Sequence, residues 1–265
     1  MFNTKLRSPR APRTLRLTVV APLLGALLAL LLVGCGAGGG SGAQGSSSAT
    51  SATSAPTVRP GVVYVALGAS DAVGVGASDP NRTAYVPILI SRLPKGSSAL
   101  NLGISGETLH AALADELPQA IAQQPTLITI WLVGNDFKDC VSLTQYGADL
   151  NTLLAQLKVK THAKVYVADA PDFSALPAIQ QQAAQSGSFC GVGASQATIR
   201  ALAQRWNTVI DASVASHGDT LVDLFHSNLI ERPDYISNDG FHPSDKGYLA
   251  LANLFWAQIT AHGGA

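Results

Sequence analysis

The sequence predicts an α/β protein: a three-layer α/β/α sandwich built on a five-stranded parallel sheet. Three observations carry that expectation. Short apolar runs bounded by turn residues recur from Val62 onward, each of a length suited to a buried strand. Segments with helical spacing of apolar residues alternate with them. Polar, glycine-containing turns directly follow the first three runs, at the edge where open parallel sheets gather their ligand-contacting groups.

The first run, Val62 to Leu67, ends on Gly68-Ala69-Ser70-Asp71. A helical pattern from Ala84 to Leu93 leads to the second run, Ala99 to Leu102, and to the turn at Gly103. A helix is expected from Thr108 to Gln123, then a strand from Leu127 to Val133 that ends on Gly134-Asn135-Asp136. Helix Leu143 to Leu157 and strand Lys164 to Ala168 complete the next unit. Helix Ala194 to Ser216, strand Thr220 to Leu224 and helix Ser244 to Ala261 close the domain. The segment Ala170 to Gly193 is too long for a plain crossover. It either forms a cleft wall that contributes Phe173, Leu176 and Phe189, or packs on itself as a surface loop clipped by Cys190.

The first sixty residues are of another kind. Lys5, Arg7, Arg10, Arg13 and Arg16 precede an apolar run from Leu17 to Val33, so residues 1–34 read as an export signal. The end of that run, Leu32-Val33-Gly34-Cys35, resembles the lipobox of bacterial lipoproteins, which implies lipidation of Cys35 as the mature N-terminus. An uncleaved membrane anchor is the alternative reading of the same run. Either one places the domain outside the cytoplasm. Residues 35–60 then form a flexible Gly/Ser/Ala/Thr linker with a reach of roughly 25 to 30 Å, and residues 61–265 form one domain.

Loss of the five signal cations leaves twelve Lys and Arg against 17 Asp and Glu, a mild acidity that argues against nucleic acid as a partner. Export also permits Cys140 and Cys190 to pair. Both follow strands expected to be neighbours, with two buried free thiols as the alternative.

Four separated stretches supply the parts of a nucleophilic hydrolase site. Ser70 can act as nucleophile, His242 as its general base and Asp239 as the carboxylate that orients His242. The Gly103 N–H and the Asn135 amide can hold an oxyanion. Each also has a plainer reading. Ser70 and Asp71 are common in helix-capping turns, Gly103 suits any tight turn, and Gly-Asn-Asp forms turns readily. Gly74 and Gly76 lack the Gly-x-Gly-x-x-Gly spacing of a dinucleotide loop. The Asp239-x-x-His242 pair could ligate a metal, but no third or fourth ligand has suitable spacing, so no metal or cofactor is expected.

Taken in order, the four stretches look like the blocks of the SGNH, or GDSL-type, esterase and lipase family, and the resemblance runs from Val63 to Tyr248. It implies a flavodoxin-like hydrolase fold and a triad of Ser70, Asp239 and His242. The implied oxyanion hole comprises the Ser70 N–H, the Gly103 N–H and Asn135 Nδ2. One position departs from the pattern: the family commonly has Asp immediately before the serine, and here Ala69 stands there with Asp71 on the other side. The expected function is ester hydrolysis on a short-chain or carbohydrate-linked substrate, by a monomer held to the outer face of a membrane through Cys35. A non-catalytic envelope binding module on the same fold is the competing expectation.

Overall fold

The computed structural model describes residues 61–265. The expected signal, Cys35 and the linker lie outside the described residues. In chain order the elements are β1 (Val63–Gly68), α1 (Ser70–Val73), α2 (Tyr85–Arg92), β2 (Ser98–Asn101), α3 (Leu109–Asp115), α4 (Leu117–Ala122) and β3 (Leu127–Trp131). They continue with α5 (Gly134–Lys138), α6 (Leu143–Lys160), β4 (Lys164–Ala168), α7 (Pro177–Ser186), β5 (Ser188–Phe189) and β6 (Val192–Gly193). The last are α8 (Gln196–His217), β7 (Thr220–Val222) and α9 (Asp245–Ala261).

The large sheet is parallel throughout, in the order β2-β1-β3-β4-β7. Strand order therefore reverses between β1 and β3, and the crevice beyond their carboxyl ends is the place such sheets offer a ligand. β1 and β3 are central and buried, which is why they read as unbroken apolar runs, whereas β2 lies at an edge and is mostly exposed. Two helical layers cover the sheet. α2 packs on α9, and α6 packs on both α3 and α8. Among the described residues no helix is long and apolar enough to cross a membrane.

Three sequence expectations change. The single helix expected from Thr108 to Gln123 is two helices that meet at Glu116, because Pro118 enters the first turn of α4 and cannot donate to a continuous helix. The third strand stops at Trp131, since Leu132 and Val133 already bend into α5. The Ala170 to Gly193 segment is packed and clipped at Cys190, as the second reading has it, but it carries regular structure that the sequence reading did not. It contains a 3-10 turn at Phe173–Ala175, the helix α7 and the β5-β6 hairpin. Phe173, Leu176 and Phe189 are all buried. Phe137 from α5 sits among Phe173, Phe189 and Trp206, with ring centroids 4.8 to 5.6 Å apart. An ion pair between Asp172 and Arg200 ties the same segment to α8. Cys140 and Cys190 are joined by a disulfide across 50 residues, which fastens the hairpin to the loop just after α5.

Candidate active site

Ser70 opens α1 immediately beyond the end of β1. The turn is built from backbone: Ala72 N–H and Val73 N–H donate to Ala69 C=O at 3.0 and 3.2 Å, and Gly74 N–H donates to Ser70 C=O at 2.9 Å. Gly74 ends it at φ 93°, a left-handed conformation that glycine adopts without cost. With Ala69 in place of the acid no side chain caps the start of this turn, and its shape rests on these backbone bonds.

His242 reaches Ser70 from 172 residues away. Its Nε2 lies 2.8 Å from Ser70 Oγ, and its Nδ1 lies 2.6 Å from Asp239 Oδ2. The other oxygen of Asp239 accepts from Ser237 Oγ at 2.8 Å, Phe241 N–H at 2.8 Å and His242 N–H at 2.9 Å. Burial works against ionisation of Asp239. The Phe241 N–H, the His242 ring, the His242 N–H and the Ser237 hydroxyl outweigh it and take the carboxyl down to about 2. Stabilisation that rests on this carboxylate is thus fully present above the usual value of 3.8 and is lost only as pH falls through about 2.

The loop carrying the pair is pinned on both sides. Ser237 N–H donates to His242 C=O at 2.8 Å, and Ala178 N–H of α7 donates to Gly240 C=O at 3.1 Å. A Cβ on Gly76 would come within 2.7 Å of Pro243 O and 3.0 Å of His242 Cβ. Only glycine lets the chain after the nucleophile turn run against the histidine loop. Tyr248 Oη donates to Val75 C=O at 2.5 Å and binds α9 to the same stretch.

Gly103 and Asn135 stand on the neighbouring strand ends. A Cβ on Gly103 would lie 2.6 Å from Ala72 Cβ, so this glycine is what allows the second turn to lie on the first. Asn101 Nδ2 donates to Ala72 C=O at 2.6 Å, and Asn101 Oδ1 accepts from the Gly103 N–H at 3.1 Å. The Gly103 N–H expected to face an oxyanion therefore has an internal acceptor, and a substrate oxygen has to share or displace it. Asn135 is buried, and one amide hydrogen is spent on Glu107 C=O at 2.9 Å. The second hydrogen remains for another acceptor.

Two further carboxyls are perturbed here. Burial raises Asp71 to about 6, opposed by the nearby His242, and raises Asp136 to about 6, opposed by the Leu109 N–H that Asp136 Oδ2 accepts at 2.9 Å. Asp136 thereby holds the start of α3 against α5. A third carboxyl, Glu116, escaped sequence reasoning, as did the close approach at Gly76. The signal for Glu116 was present: Leu109, Ala112, Glu116 and Ala120 follow helical spacing, so the acid falls on the apolar stripe. Nothing local announced Gly76, whose neighbours are set by the chain 167 residues away.

Among the described residues no group of three or more His, Cys, Asp and Glu side chains could hold a metal. The arrangement that is present is a carboxylate, an imidazole and a hydroxyl in hydrogen-bonded series, with amide donors on adjacent strand ends. A profile of the GDSL-like lipase/acylhydrolase family matches residues 66–250. The chain belongs to that family. Family membership makes it a hydrolase, and the parallel sheet with flanking helices is the family's fold.

Among solved structures this GDSL-like hydrolase is similar to an extracellular lipase from Streptomyces rimosus, at 21% identity over 74% of this chain and 99% of that one, with a TM-score of 0.57. It is also similar to Axe2, an acetylxylan esterase from Geobacillus stearothermophilus, at 20% identity over 76% of this chain and 95% of that one, with a TM-score of 0.58. The psychrotrophic esterase EstA from Pseudoalteromonas sp., solved inhibited by monoethylphosphonate, matches at 15% identity over 77% of this chain and all of that one, with a TM-score of 0.58. Identities this low speak for the shared fold. No curated protein matches the chain.

Proposed function

We propose that this GDSL-like hydrolase is an extracytoplasmic serine esterase, held to a membrane through Cys35, that acts on short-chain or carbohydrate-linked esters. The observation that carries the reading is the unbroken series from Asp239 Oδ2 through His242 to Ser70 Oγ, at 2.6 and 2.8 Å. In the first half-reaction His242 Nε2 takes the hydroxyl proton while Ser70 Oγ bonds to the ester carbonyl carbon. The Ser70 N–H, the Gly103 N–H and the free hydrogen of Asn135 Nδ2 receive the oxyanion. Collapse breaks the bond to the alcohol, which leaves with the proton from His242. Water, deprotonated by the same imidazole, then releases the acid and returns the hydroxyl to Ser70. Asp239 remains ionised and steadies the imidazolium.

The short-chain preference is supported by the burial of Phe173, Leu176 and Phe189, which spends the apolar side chains of the long segment on the core. A panel of p-nitrophenyl esters and acetylated sugars checks it: acetyl and butyryl donors are expected to outpace decanoyl donors, and the reverse order sinks the substrate reading alone. The serine reading is checked by a fluorophosphonate probe on the purified protein, with mass added at Ser70 as the expected result. A folded protein that stays unlabelled would instead point to a non-catalytic binding module. Asn135→Ala is expected to lose roughly 10²- to 10³-fold in kcat if the amide serves the oxyanion. A loss below tenfold would leave Asn135 with only its bond to Glu107 C=O.

A further inference from the structure

Beneath the Ser70 turn lies a carboxyl that this mechanism does not use. Glu116 is fully buried at the seam between α3 and α4, and its Oε2 accepts from the Gly68 N–H at 2.9 Å. Gly68 is the last residue of β1, and its C=O accepts from Ile104 N–H at 3.2 Å, so the two peptide groups that flank its Cα are held by Glu116 on one side and Ile104 on the other. A Cβ on Gly68 would lie 2.8 Å from Ala72 Cβ, which puts the strand end in contact with α1. A displacement of Gly68 therefore reaches Ser70, two residues on. The carboxyl itself is presented from a rigid place: the Glu116 N–H donates to Ala112 C=O at 3.1 Å, and its C=O accepts from Ala120 N–H at 2.9 Å.

We propose that Glu116 is a positioning residue for the nucleophile, setting the end of β1 and with it the Ser70 hydroxyl through its hydrogen bond with the Gly68 N–H. The inference rests on the reading of Ser70 as nucleophile. Core packing alone does not call for an acid here. Leu109, Ala112 and Ala120 fill the rest of the stripe with apolar side chains, and Glu116 Oε1 is left buried without a partner, as is the Tyr85 hydroxyl beside Gly68. An acid kept at that cost, and placed two residues from the nucleophile, belongs with the site.

The charge state gives the position a signature. Burial pushes Glu116 up to about 8 from 4.5. The Gly68 N–H opposes the rise, and the carboxyls of Glu107 and Asp115 add to it. The phenol of Tyr85 faces the same region and is itself raised well above 10 by burial and by Tyr64, Asp71, Tyr248 and Glu116. A value of about 8 keeps most of Glu116 protonated at pH 7. Because its folded value is raised, the associated stability is fully present below about 4.5 and is lost as pH climbs through about 8. Asp71 and Asp136 reach only about 6, so their ionisation is finished before this range.

The test is the rate of fluorophosphonate labelling at Ser70, read by intact mass from about pH 6 to about pH 9.5, with thermal midpoints at each pH. The intact chain is expected to lose labelling rate above a midpoint near 8, by roughly threefold to tenfold, because burial of the new charge, which the Gly68 N–H offsets only in part, drives the carboxyl off its seat under the turn. Glu116→Leu is expected to lower labelling by roughly tenfold or more at every pH, since the Gly68 N–H loses its acceptor. Glu116→Gln keeps an acceptor and has no proton to lose. It is expected to recover most of that deficit and to abolish the alkaline midpoint, while its thermal midpoint rises relative to the intact chain at about pH 8.5 and not at about pH 5. A role confined to packing would move the thermal midpoints and leave the labelling profile unchanged. An alkaline midpoint that persists in Glu116→Gln overturns the proposal, and that variant decides the matter even if Glu116→Leu does not fold. Absence of labelling in the intact, folded chain overturns the serine reading instead, so the two failures are distinct.

Discussion

Ser70→Ala is expected to lower the hydrolysis of short p-nitrophenyl esters by roughly 10⁴- to 10⁶-fold while leaving the thermal midpoint within a few degrees of the parent. The two halves of that result have separate causes. Removal of Oγ takes away the atom that bonds to the carbonyl, and among the described residues no other hydroxyl bonds to His242 Nε2. The turn itself survives, because its hydrogen bonds run through Ala69 C=O, Ser70 C=O and the Asn101 amide on Ala72 C=O, and none of them uses Ser70 Oγ. Turnover by the alanine variant equal to that of the parent would sink the assignment of Ser70, whatever the fold.

Asp239→Asn is expected to cost roughly 10⁴-fold in kcat with little change in KM. The reason lies in how the two oxygens of Asp239 are spent. One accepts three donors, the Ser237 hydroxyl and the N–H groups of Phe241 and His242, while the other accepts from His242 Nδ1. An asparagine has a single oxygen. If that oxygen stays with the three donors, the NH₂ group faces Nδ1 and forces the proton onto Nε2, where it blocks transfer from Ser70. If the amide turns over, the NH₂ group meets three donors and the loop loses its anchor. Either orientation removes the working base. A loss below tenfold would mean that the carboxylate only shapes the loop, and the triad reading would have to give up Asp239.

Much of this site is legible in the sequence because each part is local. The Asp239 to His242 spacing, the pinning Pro243 and the helix start at Ser244 together specify a short loop, and the structure has Ser244 capping α9 by accepting from Gly247 N–H. Asn135 follows a buried strand, and its neighbour Asp136 binds the start of α3. What escaped was set by distant neighbours. Gly76 is required by Pro243 and His242, Glu116 by Gly68, and the internal acceptor of the Gly103 N–H by the way Asn101 also holds Ala72. Helical periodicity carried the expectation of one helix across Glu116, although Pro118 was there to break it. Phe173, Leu176 and Phe189 looked available for a substrate because a long loop has no visible partner in sequence. All three are buried: Phe137 takes up Phe173 and Phe189, and the helix α8 packs on the turn that carries Phe173.

By itself the sequence determined the class of fold and the chain order of the five sheet strands, and it named the residues of the candidate triad. Those follow from apolar period, turn chemistry and motif, which act over a few residues at a time. Only the tertiary structure decided that β1 and β3 lie side by side at the point where strand order reverses, that Cys140 meets Cys190, and that a buried acid stands under the nucleophile turn. Each of these is a contact between segments 48 or more residues apart, and its energy comes from burial and hydrogen bonds that exist only once the sheet has assembled.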